Sequence, residues 1–394
     1  MALDRAAGHR GLHWGRTAGI VNIPAWPRVS TSDRIKVLAL SPIPEEGAGC
    51  RFRIAQFVPY LRSVGIDVTI SPFYSPEFFR VVYRPGGMLR KTVMFAGLVW
   101  RRLLELFTIR SYDLVFLYRE AIPAGPPIIE RMIHRLGVPI VHDFDDAIFM
   151  PAVSEANRSV AFLKNPGRVA EVVRLSRAVT VGNEFLAQYA RRHNDNVTVL
   201  PTVLDTAKFT PRADRTPRRV PVVGWIGSPT TYPYLRGIAD VLREVAKRRA
   251  FILRVSGAGQ PVDLPGVQVE EAPWSMVEEA RLFNGLDIGV YPLPHDDWAR
   301  GKCGFKAIQC MASGVPVVAS AIGVNLEIIT DGVDSFLAST REEWIEKLDR
   351  LLADPELRAR MAAAGRRTIE QRYSLTVTAP QLAGVMRAAL EPRT

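Results

Sequence analysis

Cysteine is scarce in this chain. Its three cysteines, Cys50, Cys303 and Cys310, are widely spaced in 394 residues and form no CxxC pair. That excludes a disulfide framework and a cysteine-based zinc site, and it fits a reducing, cytoplasmic compartment. Long apolar runs are missing too: no stretch of about 18–20 uncharged apolar residues occurs, and the basic N-terminus leads into no apolar segment of signal-peptide length. The expectation is a protein that neither spans a membrane nor leaves by that secretory route. Internal repeats, paired-cysteine fingers, basic zippers and aromatic RNP-type strands are absent. Nucleic acid is therefore not the expected partner, although the formal net charge is +11 and so basic a chain favours an acidic one. Gly47-Ala48-Gly49 lacks the third glycine of a dinucleotide fingerprint, which argues against a dehydrogenase.

What is present is the balance of a globular protein, 47% apolar and 23% charged residues, in a chain long enough for two domains. Residues 1–33 carry Gly, Arg and Pro without apolar periodicity and read as a flexible extension. From Ile35–Leu40 onward, short apolar strands alternate with helical stretches: Val68–Ser71, Leu114–Leu117, Ile140–Val141, Val179–Val181 and Val197–Leu200. After a segment rich in Pro and Arg the alternation resumes at Val222–Ile226. It continues through Phe251–Val255, Val267–Val269, Ile288–Tyr291 and Pro316–Val318. Strand-helix alternation predicts α/β architecture with parallel sheets covered on both faces. The expected organisation is an N-terminal domain over 34–200, a linker over 201–220, a second doubly wound domain over 221–373 and a C-terminal helix over 374–394 packing back on the first domain. A ligand is expected in the cleft between them.

The most informative stretch runs from Gly301-Lys302-Cys303-Gly304-Phe305-Lys306 through Gln309 to Ala312-Ser313-Gly314-Val315-Pro316. A glycine loop opens a helix there, a natural seat for a diphosphate, with Lys302 and Lys306 adding positive charge. Together with Gly323 to Gly332, it resembles the donor-site signature of retaining family 4 glycosyltransferases (glycosyl transferases group 1), which have the GT-B fold of two Rossmann-like domains facing across a cleft. Val199–Asp205 resembles that family's interdomain linker and Gly224–Pro229 its first donor-domain loop.

The resemblance implies a nucleotide diphosphate sugar as donor substrate, a glycan or lipid-linked sugar as acceptor, retention of configuration, and neither a metal nor another cofactor. It places Gly227, Ser228, Trp274, Lys302, Gly304, Phe305, Lys306, Gln309 and Glu327 at the donor. Trp274 falls where the base docks. Two glutamates usual in the family are replaced here by Gly301 and Gln309, and an Arg/Lys pair usual after the first donor-domain strand gives way to Ser228-Pro229-Thr230-Thr231, so Lys302 and Lys306 are assigned the missing diphosphate charge.

On the acceptor side, strand 139–141 runs into His142-Asp143-Phe144-Asp145-Asp146 at the sheet edge that faces a ligand in open α/β folds. His142, Asp143 and Asp145 are the candidate catalytic residues. Capping by the aspartates, or a divalent ion on the Asp-x-Asp spacing, are the competing readings. Gly47 and Gly49 let the backbone approach a sugar or phosphate, and Arg51 and Arg53 are placed to meet an acidic acceptor. Residues 89–110 combine apolar side chains with Arg90, Lys91, Arg101, Arg102 and Arg110, which reads either as a helix on an anionic membrane surface or as one packed on its own sheet. Two other functions stay open: a nucleotide-sugar epimerase of the same architecture, and an inactive relative that only binds nucleotide sugar.

Overall fold

The computed structural model describes residues 34–82, 84, 86–150, 167–214 and 216–392; the extension expected over 1–33 lies outside them. Six parallel strands, β1 (Ile35–Ser41), β2 (Ile66–Pro72), β3 (Leu114–Tyr118), β4 (Ile140–Phe144), β5 (Ala178–Val181) and β6 (Val197–Val199), form a sheet of order β2-β1-β3-β4-β5-β6. Another six, β7 (Val222–Ile226), β8 (Ile252–Ser256), β9 (Gln268–Ala272), β10 (Ile288–Tyr291), β11 (Val317–Ser320) and β12 (Phe336–Ala338), form the order β12-β11-β10-β7-β8-β9. Central strands such as Leu114–Tyr118 and Val222–Ile226 are buried along their whole length, because helices cover both faces and neither face reaches water. β9 at an edge, Gln-Val-Glu-Glu-Ala, is half-buried to exposed and correspondingly polar. β12, Phe-Leu-Ala, was not anticipated.

The strand orders locate the ligand crevice. In each sheet the chain leaves the first strand on one side and later returns on the other, so that β1 pairs with β3 and β7 with β10. Loops after such adjacent strands diverge to opposite faces and leave a gap at their carboxyl ends. In the first domain the gap is bordered by the residues after Ser41 and Tyr118, and in the second by those after Ile226 and Tyr291. The two gaps face one another.

An apolar cluster runs unbroken across the junction, joining Phe52 and Phe57, the linker residues Val203, Leu204 and Phe209, Phe283 and Ile308 of the second domain, and Leu382 and Met386 of the last helix. That helix, Leu375–Ala388, packs on the first domain, where Arg387 donates to the Val64 carbonyl at 2.6 Å. The outgoing and returning chains run side by side, with Leu375 N–H donating to the Leu204 carbonyl at 2.9 Å. Across the cleft the rings of Phe52 and Phe305 lie 4.4 Å apart. The tightest approach is at Gly301, where a Cβ would lie 2.7 Å from the Ala147 Cβ and 3.2 Å from its backbone nitrogen. No larger residue fits at 301 with the domains in this arrangement.

Candidate active site in the interdomain cleft

A cavity of about 440 Å³ opens where the two switch points meet, within the range of small-molecule sites. Ala48 of the first domain borders it, and the second domain supplies Gly227 and Ser228 after β7, Trp274 after β9, Tyr291 at the end of β10, and Glu279, Lys302 and Lys306. A further cavity, lined by Arg212, Asp287, Ser313 and Arg358, has a volume of about 70 Å³ and is too small for a nucleotide.

Gly304 adopts a left-handed conformation (φ 64°) that turns the loop into the helix Phe305–Ala312, and a Cβ there would also strike Ile328 at 2.3 Å. The turn places Lys302 before the helix and Lys306 in its first turn, both on the cavity wall. Lys302 Nζ reaches Asp146 Oδ1 of the opposite domain at 3.2 Å. Burial alone would lower the Lys302 pKa, but Asp146 outweighs it and keeps the ammonium charged. Lys306 donates to Gln309 Oε1 at 2.9 Å and lies 3.6 Å from Glu279 Oε1. Its pKa is lowered by burial, which Glu279 only partly offsets. Burial also raises the thiols of Cys303, to about 11, and Cys310, to about 12, so neither is a ready nucleophile.

The remaining expected donor residues divide. Phe305 packs against Phe52 rather than lining the cavity. Gln309 is fully buried one layer behind the wall, where its Nε2 donates to Glu279 Oε1 at 3.0 Å. Glu327 is exposed on the short helix Asn325–Ile328, away from the cavity lining.

On the acceptor side the structure separates residues that the sequence grouped. Strand alternation sends Asp143 and its neighbour His142 to opposite faces. Asp143 is fully buried and bound by Arg53, whose Nε donates to Oδ2 at 2.9 Å and whose second nitrogen contacts Oδ1, and by Thr180 at 2.6 Å. Arg53 also holds the Leu200 carbonyl at 2.8 Å. This buried pair ties the helix Ala48–Arg53, β4 and the linker together; neither Arg53 nor Asp143 lines the cleft cavity, which corrects their expected contacts with acceptor and sugar. Arg51 is also engaged, donating to Glu279 Oε2 of the opposite domain at 2.8 Å. Gly47 precedes the helix Ala48–Arg53, and Gly49 is backed by Tyr118, whose hydroxyl would lie 2.2 Å from a Cβ there.

Asp145 and Asp146 converge on Arg119, which the sequence reading missed. Arg119 Nη2 donates to Asp145 Oδ1 at 2.6 Å and also contacts Asp146, while Tyr118 donates to Asp145 at 2.9 Å. Burial would raise the Asp145 pKa, but Arg119 and Arg53 hold it below the usual carboxylate range. With Asp143 on Arg53 and Asp145 on Arg119, the Asp-x-Asp pair is occupied by arginines, and among the described residues no three His, Cys, Asp or Glu side chains are grouped to hold a metal. Arg119 has φ 59°, rare for a residue with a Cβ. Such conformations cost on the order of 1–3 kcal/mol and persist where surrounding contacts impose them. Here the Arg119 N–H donates to the Asp143 carbonyl at 2.7 Å and its own carbonyl meets His142 Nε2 at 2.8 Å. A carbonyl only accepts, so Nε2 carries the hydrogen and the buried Nδ1, with no partner, is the acceptor.

The other missed residue is Glu279, which lies in the mixed stretch Met276-Val277-Glu278-Glu279-Ala280-Arg281 with no motif around it. A basic residue directly after the all-apolar Leu114–Tyr118, at a strand end beside the switch point, was the available signal for Arg119.

The second domain matches the family model described as "Glycosyl transferases group 1" over residues 220–354. Among curated relatives, a D-inositol 3-phosphate glycosyltransferase of Stackebrandtia nassauensis is 28% identical over 244 residues, 53% of this chain and 54% of that protein. An alpha-D-kanosaminyltransferase of Streptomyces kanamyceticus is 37% identical over 89 residues, 22% of this chain and 23% of that protein. The chain thus spans about half the length, or less, of these curated relatives. Among solved structures, a glycosyltransferase from Rickettsia africae superposes with TM-score 0.68 at 14% identity, covering 92% of this chain and all of that one. The Anabaena protein HepE in complex with UDP-glucose gives TM-score 0.63 at 17% identity, covering 90% of this chain and all of that one.

The pKa of His142 gives a test of the buried acceptor-side network. Burial lowers it from 6.5 to about 4, so between these values the unfolded chain binds a proton that the folded one excludes. Stability is fully present above pH 6.5 and falls as the pH drops toward 4, by on the order of 3 kcal/mol from this group. Urea unfolding midpoints at pH 7 and pH 4.5 should therefore converge in His142→Gln relative to the parent; an unchanged difference would contradict the buried, neutral imidazole. Residues 220–354 form a domain of the glycosyl transferases group 1 family, in a chain with the two-domain GT-B fold.

Proposed function

We propose that the protein is a glycosyltransferase that moves a sugar from a nucleoside diphosphate donor held in the cleft cavity to a glycan or lipid-linked acceptor, with retention of configuration. The observation that carries this reading is the pair Lys302 and Lys306 on the wall of a cavity at the switch point of the donor domain, with Trp274 on the same wall. The indole offers a stacking surface for a base, and the ammonium groups together with the backbone N–H groups at the start of the helix Phe305–Ala312 are suited to a diphosphate.

In this scheme the acceptor hydroxyl approaches on the face from which the diphosphate departs: its oxygen bonds to the anomeric carbon as the bond from that carbon to the phosphate oxygen breaks, and its proton passes to the departing phosphate. The leaving oxygen gains negative charge, and the lysines stabilise it. No protein nucleophile is needed. A metal is not needed either, since two cations stand at the place where charge develops. The relatives named for transfer to inositol phosphate and for kanosaminyl transfer support sugar transfer as the chemistry. An inactive binding relative is the second reading, favoured by the absence of any side chain at 301.

The decisive assay measures nucleotide release from a panel of nucleotide sugars, with and without acceptor glycans and in the presence of a chelator. Acceptor-dependent release that survives chelation is expected. Lys302→Ala and Lys306→Ala should each weaken diphosphate binding by at least about tenfold while leaving nucleoside binding unchanged, the loss expected for a charge-assisted contact. Normal diphosphate binding by both variants would sink the assignment. Donor binding without release in any condition would identify the inactive relative, and an altered sugar formed without acceptor would identify an epimerase.

For the place of action, we propose a membrane surface. The helix Met88–Glu105 exposes Leu89, Val93, Trp100 and Leu104, and Phe107 follows it. Arg101 and Arg102 do not edge this face: they turn inward to the Phe73 carbonyl at 2.8 Å and to Glu105 at 2.6 Å. Attachment then rests on apolar contact, with Arg90 and Arg110 as the exposed cations. Among the described residues no helix is long and apolar enough to cross a membrane. Vesicle co-sedimentation should fall when Leu89 and Trp100 are changed to Ser and change little with salt; equal sedimentation of parent and variant would remove this reading.

A further inference from the structure

Glu279 is the one carboxylate among the residues lining the cleft cavity. Three partners fix it from behind and beside. Gln309 Nε2 donates to Oε1 at 3.0 Å, Lys306 Nζ lies 3.6 Å from the same oxygen, and Arg51 of the opposite domain donates to Oε2 at 2.8 Å. A carboxylate has roughly four acceptor positions on its two oxygens. Capacity therefore remains, and a group lining the cavity can use it only toward a hydrogen-bond donor in the cavity.

Trp274 and Glu279 lie on one segment between β9 and the helix Glu279–Asn284, Lys306 stands beside Glu279, and Lys302 is on the loop four positions before Lys306. All four line the same cavity: an aromatic surface, a carboxylate paired at 3.6 Å with one ammonium group, and a second ammonium group. A nucleoside diphosphate presents a flat base, a diol whose O–H groups donate, and two anionic phosphates. Gln309, one of the residues expected at the donor, is fully buried behind the wall, and its amide orients the carboxylate in front of it.

We infer that Glu279 accepts hydrogen bonds from the ribose hydroxyls of the donor nucleotide and sets the preference for a ribonucleotide. This rests on the reading of the cavity as a nucleoside diphosphate site. Gln309 and Lys306, both of the same domain, hold the carboxylate at the cavity wall, and Arg51 adds a tie to the first domain.

The test is a cycle of calorimetric titrations on the full chain. UDP, GDP and ADP are titrated first, and the tightest binder is compared with its 2′-deoxy and 3′-deoxy forms. The wild type should bind at least one deoxy form about tenfold more weakly. Glu279→Gln should bind the ribonucleotide about tenfold more weakly and distinguish it from that deoxy form by less than twofold. Arg51→Gln, which breaks the cross-cleft pair and leaves the carboxylate, should keep the discrimination. Equal affinity of the wild type for all three sugars overturns the inference without any variant, as does full discrimination in Glu279→Gln or its loss in Arg51→Gln. Failure of every nucleoside diphosphate to bind the wild type overturns the underlying reading of the cavity itself.

Discussion

At Gly301 the donor-domain backbone passes the first domain with no room for a side chain between them, a Cβ there falling 2.7 Å from Ala147. The geometry of the cleft follows from this approach. Because Ala147 comes so near, the preceding residue, Asp146, carries its carboxylate to Lys302, and the same seating lets Phe52 pack against Phe305 and Arg51 reach Glu279. A residue with a side chain at 301 would hold these three contacts apart together. The glycine is thus a condition of closure in this chain as well as the absence of a glutamate usual in the family it resembles.

The cations available to a diphosphate are already neutralised in part by acids: Lys302 by Asp146, Lys306 by Glu279. Partners of this kind lower the cost of burying an ammonium group, which alone would be driven toward its neutral form. On the proposed function an entering diphosphate competes for the lysines, and one of these acids belongs to the opposite domain. Donor binding and domain contact therefore draw on the same charges. Arg119 plays the corresponding part on the acceptor side, held in a left-handed conformation while its guanidinium collects Asp145 and Asp146 and its carbonyl sets the tautomer of His142.

Much of this was legible in the sequence. Eleven of the twelve described strands were anticipated, the central ones because parallel strands covered on both faces read as continuous apolar runs, and the turn from Gly301 to Lys306 carried a motif with a physical meaning. Legibility ended where a role depends on a partner distant in sequence. Asp143 and Arg53 looked like cleft residues because a charged group at a strand end often is one; only the three-dimensional pairing reveals that each buries the other. Glu279 stands among mixed residues with no motif signal, and its meaning comes from Arg51, 228 positions away. The arginines at 101 and 102 show the same limit, since a helical repeat gives the faces of a helix but not which carbonyls wait beneath one of them.

The central claim is that the cavity between the two switch points receives a nucleoside diphosphate, with its phosphates on Lys302 and Lys306. A crystal structure of the protein with a bound nucleoside diphosphate measures this directly. The account predicts phosphate oxygens within hydrogen-bonding distance of both ammonium groups, the base against Trp274, and Gly301 still packed on Ala147. Phosphates seated elsewhere, with Lys302 and Lys306 still paired only to Asp146 and Glu279, would contradict it.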